Sequence, residues 1–217
     1  EDGVLLHGVA PGRDLYTDDR RSISEAVDFA ARLVPSLASA LRERDHDVVV
    51  ASVFPYFPVL AAALTRVGTD APLVTTWHEV WCDYWEEYLG TLAPCGKLIE
   101  RVTAAVPQYP IAVSGITADR LSGLGPSDER IEVVPNGIDM ATVMSAPRPA
   151  DRGETAYDVV FAGRHIPDKN VSTLLSAFDR VAADHDATLG IIGDGPETAS
   201  LERTAASLDT ADRIEAP

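Results

Sequence analysis

Cysteine, lysine and long apolar runs are all scarce in this chain of 217 residues. Its two cysteines, Cys82 and Cys95, are too few for the disulfide framework of a secreted domain. No apolar run approaches the roughly 20 residues that a membrane-spanning helix needs. No basic and apolar leader opens the sequence. These absences argue against a disulfide-built or membrane-spanning protein and favour a cytoplasmic location.

The charge balance narrows the choice of partners. Lys97 and Lys169 are the only lysines among 18 basic residues, and 34 acidic residues bring the formal net charge to −16. Such a surface repels phosphate, so we expect no nucleic-acid partner, while local basic spots leave peripheral membrane association open. An acidic, lysine-poor surface is typical of proteins that stay hydrated at high salt and favours a halophilic source. A GC-rich genome would produce a similar composition.

Short apolar runs alternate with amphipathic stretches along the chain. Strands are predicted over 4–9, 47–51, 72–76, 111–114, 131–134, 157–162 and 187–192. Helices are predicted over 24–44, 58–67, 117–124 and 171–184, with Pro35 bending or interrupting the first. This alternation predicts an α/β fold with parallel sheets.

One segment has the composition of a linker. Residues 145–155 are rich in Pro, Arg, Asp and Gly and have no apolar periodicity. We therefore predict an N-terminal domain over 1–145, followed over 146–217 by the linker and the first part of a C-terminal domain.

A basic loop follows the strand predicted at 157–162. Gly163 lets the chain turn sharply, and Arg164 and Lys169 precede the next helix. Ligands of open α/β sheets bind beyond the carboxyl ends of the strands, and two cations at a helix N-terminus suit a diphosphate. The alternative is a pair of solvated cations matched with Asp158 or Asp168. The scarcity of lysine in this acidic chain favours the anion site.

The next strand ends in a glycine turn, Ile192-Gly193-Asp194-Gly195-Pro196. Its glycines would allow close approach of the backbone to a ligand. The turn lacks the third glycine of a dinucleotide-binding fingerprint. Because it lies one strand after the basic loop, we expect the two loops to be neighbours in space.

A histidine ends the strand predicted at 72–76. His78 could exchange a proton near pH 7, or it could cap the following turn as a structural residue. A zinc site formed with Cys82 and Cys95 is a weaker alternative, because the usual set of four ligands is missing.

Aromatic residues cluster just after this histidine, at a spacing that matches one helical face. Core packing is the favoured role for such a face, with a sugar-stacking platform as the alternative. The residues are Trp77, Trp81, Tyr84, Trp85 and Tyr88.

Taken in order, these segments resemble the GT-B glycosyltransferases of family 4. The resemblance covers about residues 48–201, most of the chain. It rests on Thr76-Trp77-His78-Glu79, on Ala112-Val113-Ser114 followed by Val133 to Asp139, on Phe161-Ala162-Gly163-Arg164 with Lys169, and on Ile192 to Pro196.

The resemblance implies two Rossmann-like domains with parallel sheets, the second incomplete here. In the family the first domain holds the acceptor and the second a nucleotide-sugar donor. Arg164 and Lys169 would bind the donor diphosphate and neutralise it as it leaves, and His78 would act catalytically beside the reacting sugar. The transfer would retain the anomeric configuration and need no metal and no further cofactor. The acceptor could be a glycan, a lipid or a small molecule.

The same resemblance implies that further residues lie in the cleft. Gly163, Gly193 and Gly195 would line the donor cleft, and Glu79, Ser114 and Asn136 are cleft candidates in the first domain.

The sequence also departs from the family pattern. The family's first strand with its Gly-Gly loop and its C-terminal Glu-x7-Glu region are not found, which suggests a fragment that is inactive alone. His165 and Asn170 replace an apolar residue and a glycine. The alternative functions are a sugar-nucleotide epimerase, a phosphorylase, or a non-catalytic sugar- or nucleotide-binding module.

Overall fold

The structure is a computed structural model that describes residues 3–10, 16–17, 20–21, 23–43, 46–147 and 157–215. The chain divides into two compact units, Glu1–Ile138 and Asp139–Pro217. The boundary predicted after residue 145 lies at the far end of a short helix that the second unit contains. Residues 148–155 of the predicted linker fall outside the described residues.

The first unit is built on a parallel sheet of four strands in the order β3-β4-β5-β6. A separate antiparallel pair, β1 and β2, precedes it. The elements are β1 (Tyr16–Thr17), β2 (Arg20–Arg21), α1 (Ile23–Glu43), β3 (Val49–Ser52), α2 (Phe57–Thr65), β4 (Leu73–Trp77), α3 (Tyr84–Leu89), α4 (Ala93–Ala105), β5 (Tyr109–Ala112), α5 (Gly115–Ser122) and β6 (Glu132–Val133).

Burial explains why these residues form a sheet core. Leu73, Thr75 and Trp77 are buried along β4, while the residues between them are half-buried, as expected of a strand with neighbours on both sides. Thr75 and the Trp77 indole both bond the buried amide of Gln108, which satisfies the polar groups in this apolar setting.

The second unit is a smaller parallel sheet in the order β7-β8-β9. Its elements are α6 (Met140–Ser145), β7 (Val159–Ala162), α7 (Val171–Ala182), β8 (Leu189–Ile192), α8 (Thr198–Ala206) and β9 (Ile214–Glu215). Leu175 and Phe178 of α7 pack with Leu189 and Ile191 of β8 in its core. Both units therefore have the predicted parallel α/β architecture.

Several local predictions were wrong. Residues 4–9 belong to none of the three sheets, and Leu6 is 90% exposed, because an apolar run needs a neighbouring strand to pair with. Of the two outcomes predicted for Pro35, the interruption is wrong: α1 continues past this exposed residue, so that the carbonyl left without an N–H donor can be hydrated. Helices α3, α4, α6 and α8 were not predicted. Within the described residues, no helix combines the length and apolar character that a bilayer crossing requires.

Candidate functional site

The loops after β7 and β8 lie side by side, as predicted. Strands β7 and β8 are parallel and in register up to Ala162 opposite Ile192. Beyond them the Gly163 N–H donates to the Ile192 carbonyl at 3.0 Å, and the His165 N–H donates to the Asp194 carbonyl at 2.9 Å. The two loops are therefore joined by their backbones.

Two glycines make this contact feasible. Gly193 has φ +150°, and a Cβ on it would lie 1.8 Å from the Gly163 carbonyl oxygen. A Cβ on Gly195 would lie 2.4 Å from the His165 carbonyl oxygen. The close approach predicted for these glycines is thus made to the neighbouring loop. Their role in lining a donor cleft stays a prediction, as does that of Gly163.

A side-chain network that the sequence did not reveal strengthens the loop pair. The His165 ring is 1% exposed, and its Nδ1 lies 2.9 Å from the Thr198 Oγ1. The Thr198 hydroxyl donates to the Asp194 carboxylate at 3.1 Å and accepts from the Gly195 N–H at 2.9 Å. When the Thr198 hydroxyl gives its single hydrogen to Asp194, its oxygen accepts from His165 Nδ1, and the network favours this tautomer. His165 Nε2 is buried and has no hydrogen-bond partner within the described part of the chain.

The two predicted cations lie on this loop pair. Arg164 follows Gly163 directly and is exposed. Lys169 closes a short 3₁₀ turn, Pro167–Lys169, and Asn170 in the left-handed conformation (φ +51°) leads into α7. Their assignment to a diphosphate stays a prediction.

The two lysines of the chain differ in their partners. Lys97 Nζ pairs with Asp83 at 2.9 Å and with Glu86 at 2.8 Å. Lys169 is exposed and has no ion pair with any described residue. Asp158 was one of the acids that could have matched the cations of the basic loop. Its carboxylate instead accepts hydrogen bonds from the Thr188 N–H and hydroxyl, both at 2.9 Å. These hydrogen bonds, the backbone one first, lower the pKa of the Asp158 carboxyl.

The first unit brings together the other four candidates at the carboxyl edge of its sheet. The parallel register of β4, β5 and β6 places the residues that follow these strands along one edge. His78 and Glu79 follow β4, are exposed, and have no hydrogen-bond partner among the described residues. Among the described residues, His78 therefore does not make the hydrogen bond that would cap the following turn. Asn136 is exposed beyond β6.

Ser114 has a local structural role. Its Oγ accepts from the Thr117 N–H at 3.1 Å and caps α5 at its N-terminus. The capping bond by itself explains why a serine follows β5, and no contact with a ligand is needed to explain it.

A buried carboxylate fixes the loop that follows His78. Glu100 is 1% exposed and accepts from the Tyr56 hydroxyl at 2.7 Å, from the Trp81 N–H at 2.7 Å and from the Cys82 N–H at 3.1 Å. Burial, and next the Glu100 charge, hold the pKa of Tyr56 far above its usual value. Sequence reasoning missed Glu100, because nothing in its helical position distinguishes it from a solvated acid.

Four of the five aromatic residues pack in or against the core, as favoured, whereas Tyr84 is 43% exposed, and the five do not form one helical face. Trp77 ends β4, Trp81 lies in the following loop, and Tyr84, Trp85 and Tyr88 belong to α3. Trp77 and Trp85 are 0% and 6% exposed, and the Trp81 ring centroid is 4.7 Å from that of Trp85.

The zinc alternative receives no support from the geometry. Among the described residues, no three His, Cys, Asp or Glu side chains converge as metal ligands, so His78, Cys82 and Cys95 do not form a site together. Both cysteines are free thiols.

Two sequence families match the chain in succession. Residues 8–142 match the model of Glycosyltransferase Family 4, and residues 146–216 match that of Glycosyl transferases group 1. No curated protein matches the sequence.

Solved structures share the fold. HepE from Anabaena, in complex with UDP and glucose, is 17% identical with a TM-score of 0.64, over 89% of this chain and 52% of that one. The apo lipopolysaccharide outer core galactosyltransferase WaaB is 21% identical with a TM-score of 0.56, over 89% and 49%. A UDP-N-acetylglucosamine 2-epimerase from Rickettsia bellii is 11% identical with a TM-score of 0.54, over 89% and 52%.

The chain spans about half the length of these solved relatives. At these low identities the structural likeness shows the fold alone, which is the GT-B fold. The family assignment rests on the sequence match, whose first segment alone covers well over half of the chain. The chain belongs to glycosyltransferase family 4.

Proposed function

We propose that the full-length protein transfers a sugar from a nucleotide-diphosphate sugar to an acceptor, with retention of the anomeric configuration. One observation carries the donor assignment: an exposed lysine without an ion pair among the described residues stands with Arg164 on a rigid loop pair, in a chain of net charge −16. In such a chain, an exposed lysine without an ion pair among the described residues, on a loop at the carboxyl edge of a parallel sheet, is suited to an anionic ligand.

In the proposed reaction, the bond from the sugar C1 to the diphosphate oxygen breaks as the acceptor hydroxyl oxygen bonds to C1. The hydroxyl proton passes to the departing phosphate. Negative charge grows on the diphosphate during this step, so Arg164 and Lys169 stabilise the transition state more than the bound substrate. His78 contacts the transferred sugar or the acceptor, and Gly163, Gly193 and Gly195 line the donor cleft.

The donor site is tested by substituting its cations in the full-length protein. Arg164→Ala and Lys169→Ala should each weaken binding of the preferred nucleotide sugar by about 10- to 100-fold, the loss expected of a charge-assisted hydrogen bond. Arg180→Ala is the matched control, since Arg180 is an exposed cation near the opposite end of α7. Equal calorimetric affinity for the double variant and the parent would refute the assignment.

Product analysis tests the reaction class. A retaining transferase gives a product whose anomeric proton coupling in NMR matches that of the donor, and turnover should be unchanged by EDTA. His78→Ala should lower kcat more than donor affinity. Conversion of the donor to an epimer without an acceptor would instead favour the epimerase function, whose fold is among the structural relatives. Binding without any turnover would favour a non-catalytic module.

A further inference from the structure

The two asparagines of the chain, Asn136 and Asn170, lie in contrasting surroundings. Asn136 is exposed in the segment between β6 and α6, residues 134–139, which forms neither helix nor strand. Gly137 follows it and is exposed as well. Neither the Asn136 side-chain amide nor the Gly137 N–H has a hydrogen-bond partner among the described residues. Nothing in this part of the chain therefore keeps the two groups apart.

The open segment is anchored at both ends. On one side the Val134 N–H donates to the Ala112 carbonyl at 2.9 Å. On the other side the Asp139 carboxylate accepts from two backbone N–H groups and caps α6. The exposed Asn-Gly pair is thus a feature of the folded chain, presented between two fixed points.

Asn170 is protected where Asn136 is open. Its side-chain oxygen accepts from the Thr173 hydroxyl at 2.8 Å, and its own N–H donates to the Pro167 carbonyl at 2.9 Å. The next residue, Val171, is 0% exposed and begins α7. The branched side chain and helical backbone of Val171 hold its nitrogen away from the Asn170 amide.

Asp194 and Gly195 form a second pair of the same kind, in the turn after β8. The Gly195 N–H is engaged here, since it donates to the Asp194 carboxylate at 2.7 Å and to the Thr198 hydroxyl at 2.9 Å. The turn is also closely packed, because a Cβ on Gly195 would lie 2.4 Å from the His165 carbonyl oxygen. A Cβ on Gly137 would meet nothing within 4 Å.

We propose that Asn136 is a site of spontaneous deamidation, with water as the co-reactant. The Gly137 main-chain nitrogen bonds to the Asn136 side-chain carbonyl carbon, and the side-chain nitrogen leaves as ammonia, taking up the proton that the Gly137 nitrogen loses. Glycine favours this step because it has no side chain to obstruct the ring. Water then opens the cyclic imide. Cleavage of the new bond gives aspartate, and cleavage of the original peptide bond gives isoaspartate.

Either product changes the connection between the two compact units. The first unit ends at Ile138 and the second begins at Asp139, so the reacting pair lies just before the boundary. Both products add a carboxylate to a chain whose net charge is already −16. Isoaspartate also lengthens the main chain by one carbon atom, because the chain then runs through the side chain. This inference does not depend on the proposed function.

Peptide mapping by mass spectrometry tests the proposal on the full-length protein, incubated at 37 °C at pH 7 and at pH 9. The peptide with Asn136 should acquire the mass of an amide-to-acid exchange many times faster than the peptide with Asn170. The reaction should be faster at pH 9, because the Gly137 nitrogen must lose its proton. Electron-transfer fragmentation should identify both products, and a digest of fresh protein gives the background. Equal rates at the two asparagines would overturn the proposal.

Gly137→Ala tests the role of the neighbouring nitrogen. The fold should be retained, since the added Cβ meets nothing within 4 Å, while the methyl group should slow the reaction at Asn136 severalfold. Gly115→Ala is the matched control, because its Cβ also meets nothing within 4 Å, and it should leave the rate unchanged. An unchanged rate in Gly137→Ala would refute the proposed chemistry.

Unfolding the parent in guanidinium chloride tests the contribution of the structure. The rate at Asn136 should rise no more than severalfold, because the folded chain already leaves the pair open. Rapid conversion in the unfolded chain together with an unreactive folded protein would also overturn the proposal.

Discussion

Gly193 shows how strongly one residue can constrain the donor-side loops. Its φ of +150° is accessible chiefly to glycine, and a Cβ there would overlap the Gly163 carbonyl. The sequence predicted a turn at this position that allows close approach of the backbone to a ligand, because Gly-x-Gly-Pro follows an apolar strand. It could not predict what the glycine approaches, since that contact depends on the neighbouring loop about 30 residues earlier.

The contact made by His165 could not be predicted from the sequence either. The strand-end position of Arg164 and Lys169 follows from sequence order, but the bond from His165 to Thr198 joins residues 33 positions apart. The sequence marked His165 only as a departure from the family pattern and gave Thr198 no role. Only the packing of the two loops makes the ring a structural link.

We expect Gly193→Ala to lower the free energy of unfolding of the second unit by about 2 kcal/mol or more, through backbone strain and overlap. Urea unfolding of the full-length protein measures this change. Gly8→Ala is the control, because a Cβ on Gly8 meets nothing within 4 Å. Equal destabilisation by both substitutions would contradict the structural account of this turn.

We expect Thr198→Val to remove the link to His165 while preserving side-chain shape. The loop pair should then loosen, with faster hydrogen exchange at the Gly195 and His165 amides and a moderate loss of donor affinity. Thr198→Ser keeps the hydroxyl and should restore both properties. Unchanged exchange in Thr198→Val would show that the backbone bonds alone hold the loops together.

At the scale of elements, the strands were predicted best. Six of the seven predicted strands correspond to β3 to β8, within a few residues of the expected limits. The continuous apolar stretch expected of a buried parallel strand is clearest in β8, where three of the four residues are buried. Helices α3 and α4 were missed because their apolar residues are mixed with charges and glycine. Gly96 of α4 lies there because the Trp85 ring packs directly on it.

The loop between β4 and α3 depends on a charge that the sequence does not reveal. Glu100 becomes the anchor of that loop only when α4 buries it beside Tyr56. The free energy of unfolding should therefore depend on pH in the alkaline range, because burial, and next the Glu100 carboxylate, raise the pKa of Tyr56.

The direction of this dependence follows from proton binding. The folded protein holds the Tyr56 proton more tightly than the unfolded chain does, whose tyrosine pKa is about 10. The stabilisation is therefore complete below about pH 10, and each further pH unit should remove up to about 1.4 kcal/mol. Urea unfolding of the parent at pH 9 and pH 11 should show this loss, and Tyr56→Phe should show less of it. An identical pH dependence in both proteins would refute the role of Tyr56.

At the scale of the whole molecule, two parallel α/β units and the family were predictable from ordered motifs and composition. The site could be predicted only as two sets of strand-end residues, one in each unit. The charge of −16 also belongs to this scale, since it acts through the sum of many side chains.

We propose that this charge adapts the protein to high salt. Mutual repulsion among the acidic groups should be screened by added ions, so the melting temperature of the full-length protein should rise by several degrees between about 0.05 M and 2 M KCl. An uncharged osmolyte at equal osmolality serves as the control. A melting temperature that is constant or falls with KCl would contradict halophilic adaptation.

The central claim is that the loops after β7 and β8 bind the diphosphate of a nucleotide sugar. Calorimetric titration of the full-length protein with nucleoside diphosphates and the matching monophosphates tests it most directly. We predict that one diphosphate binds at least about tenfold more tightly than its monophosphate and that the Arg164→Ala/Lys169→Ala variant loses this preference. A preference that persists in the double variant, or an absence of preference in the parent, would contradict the claim.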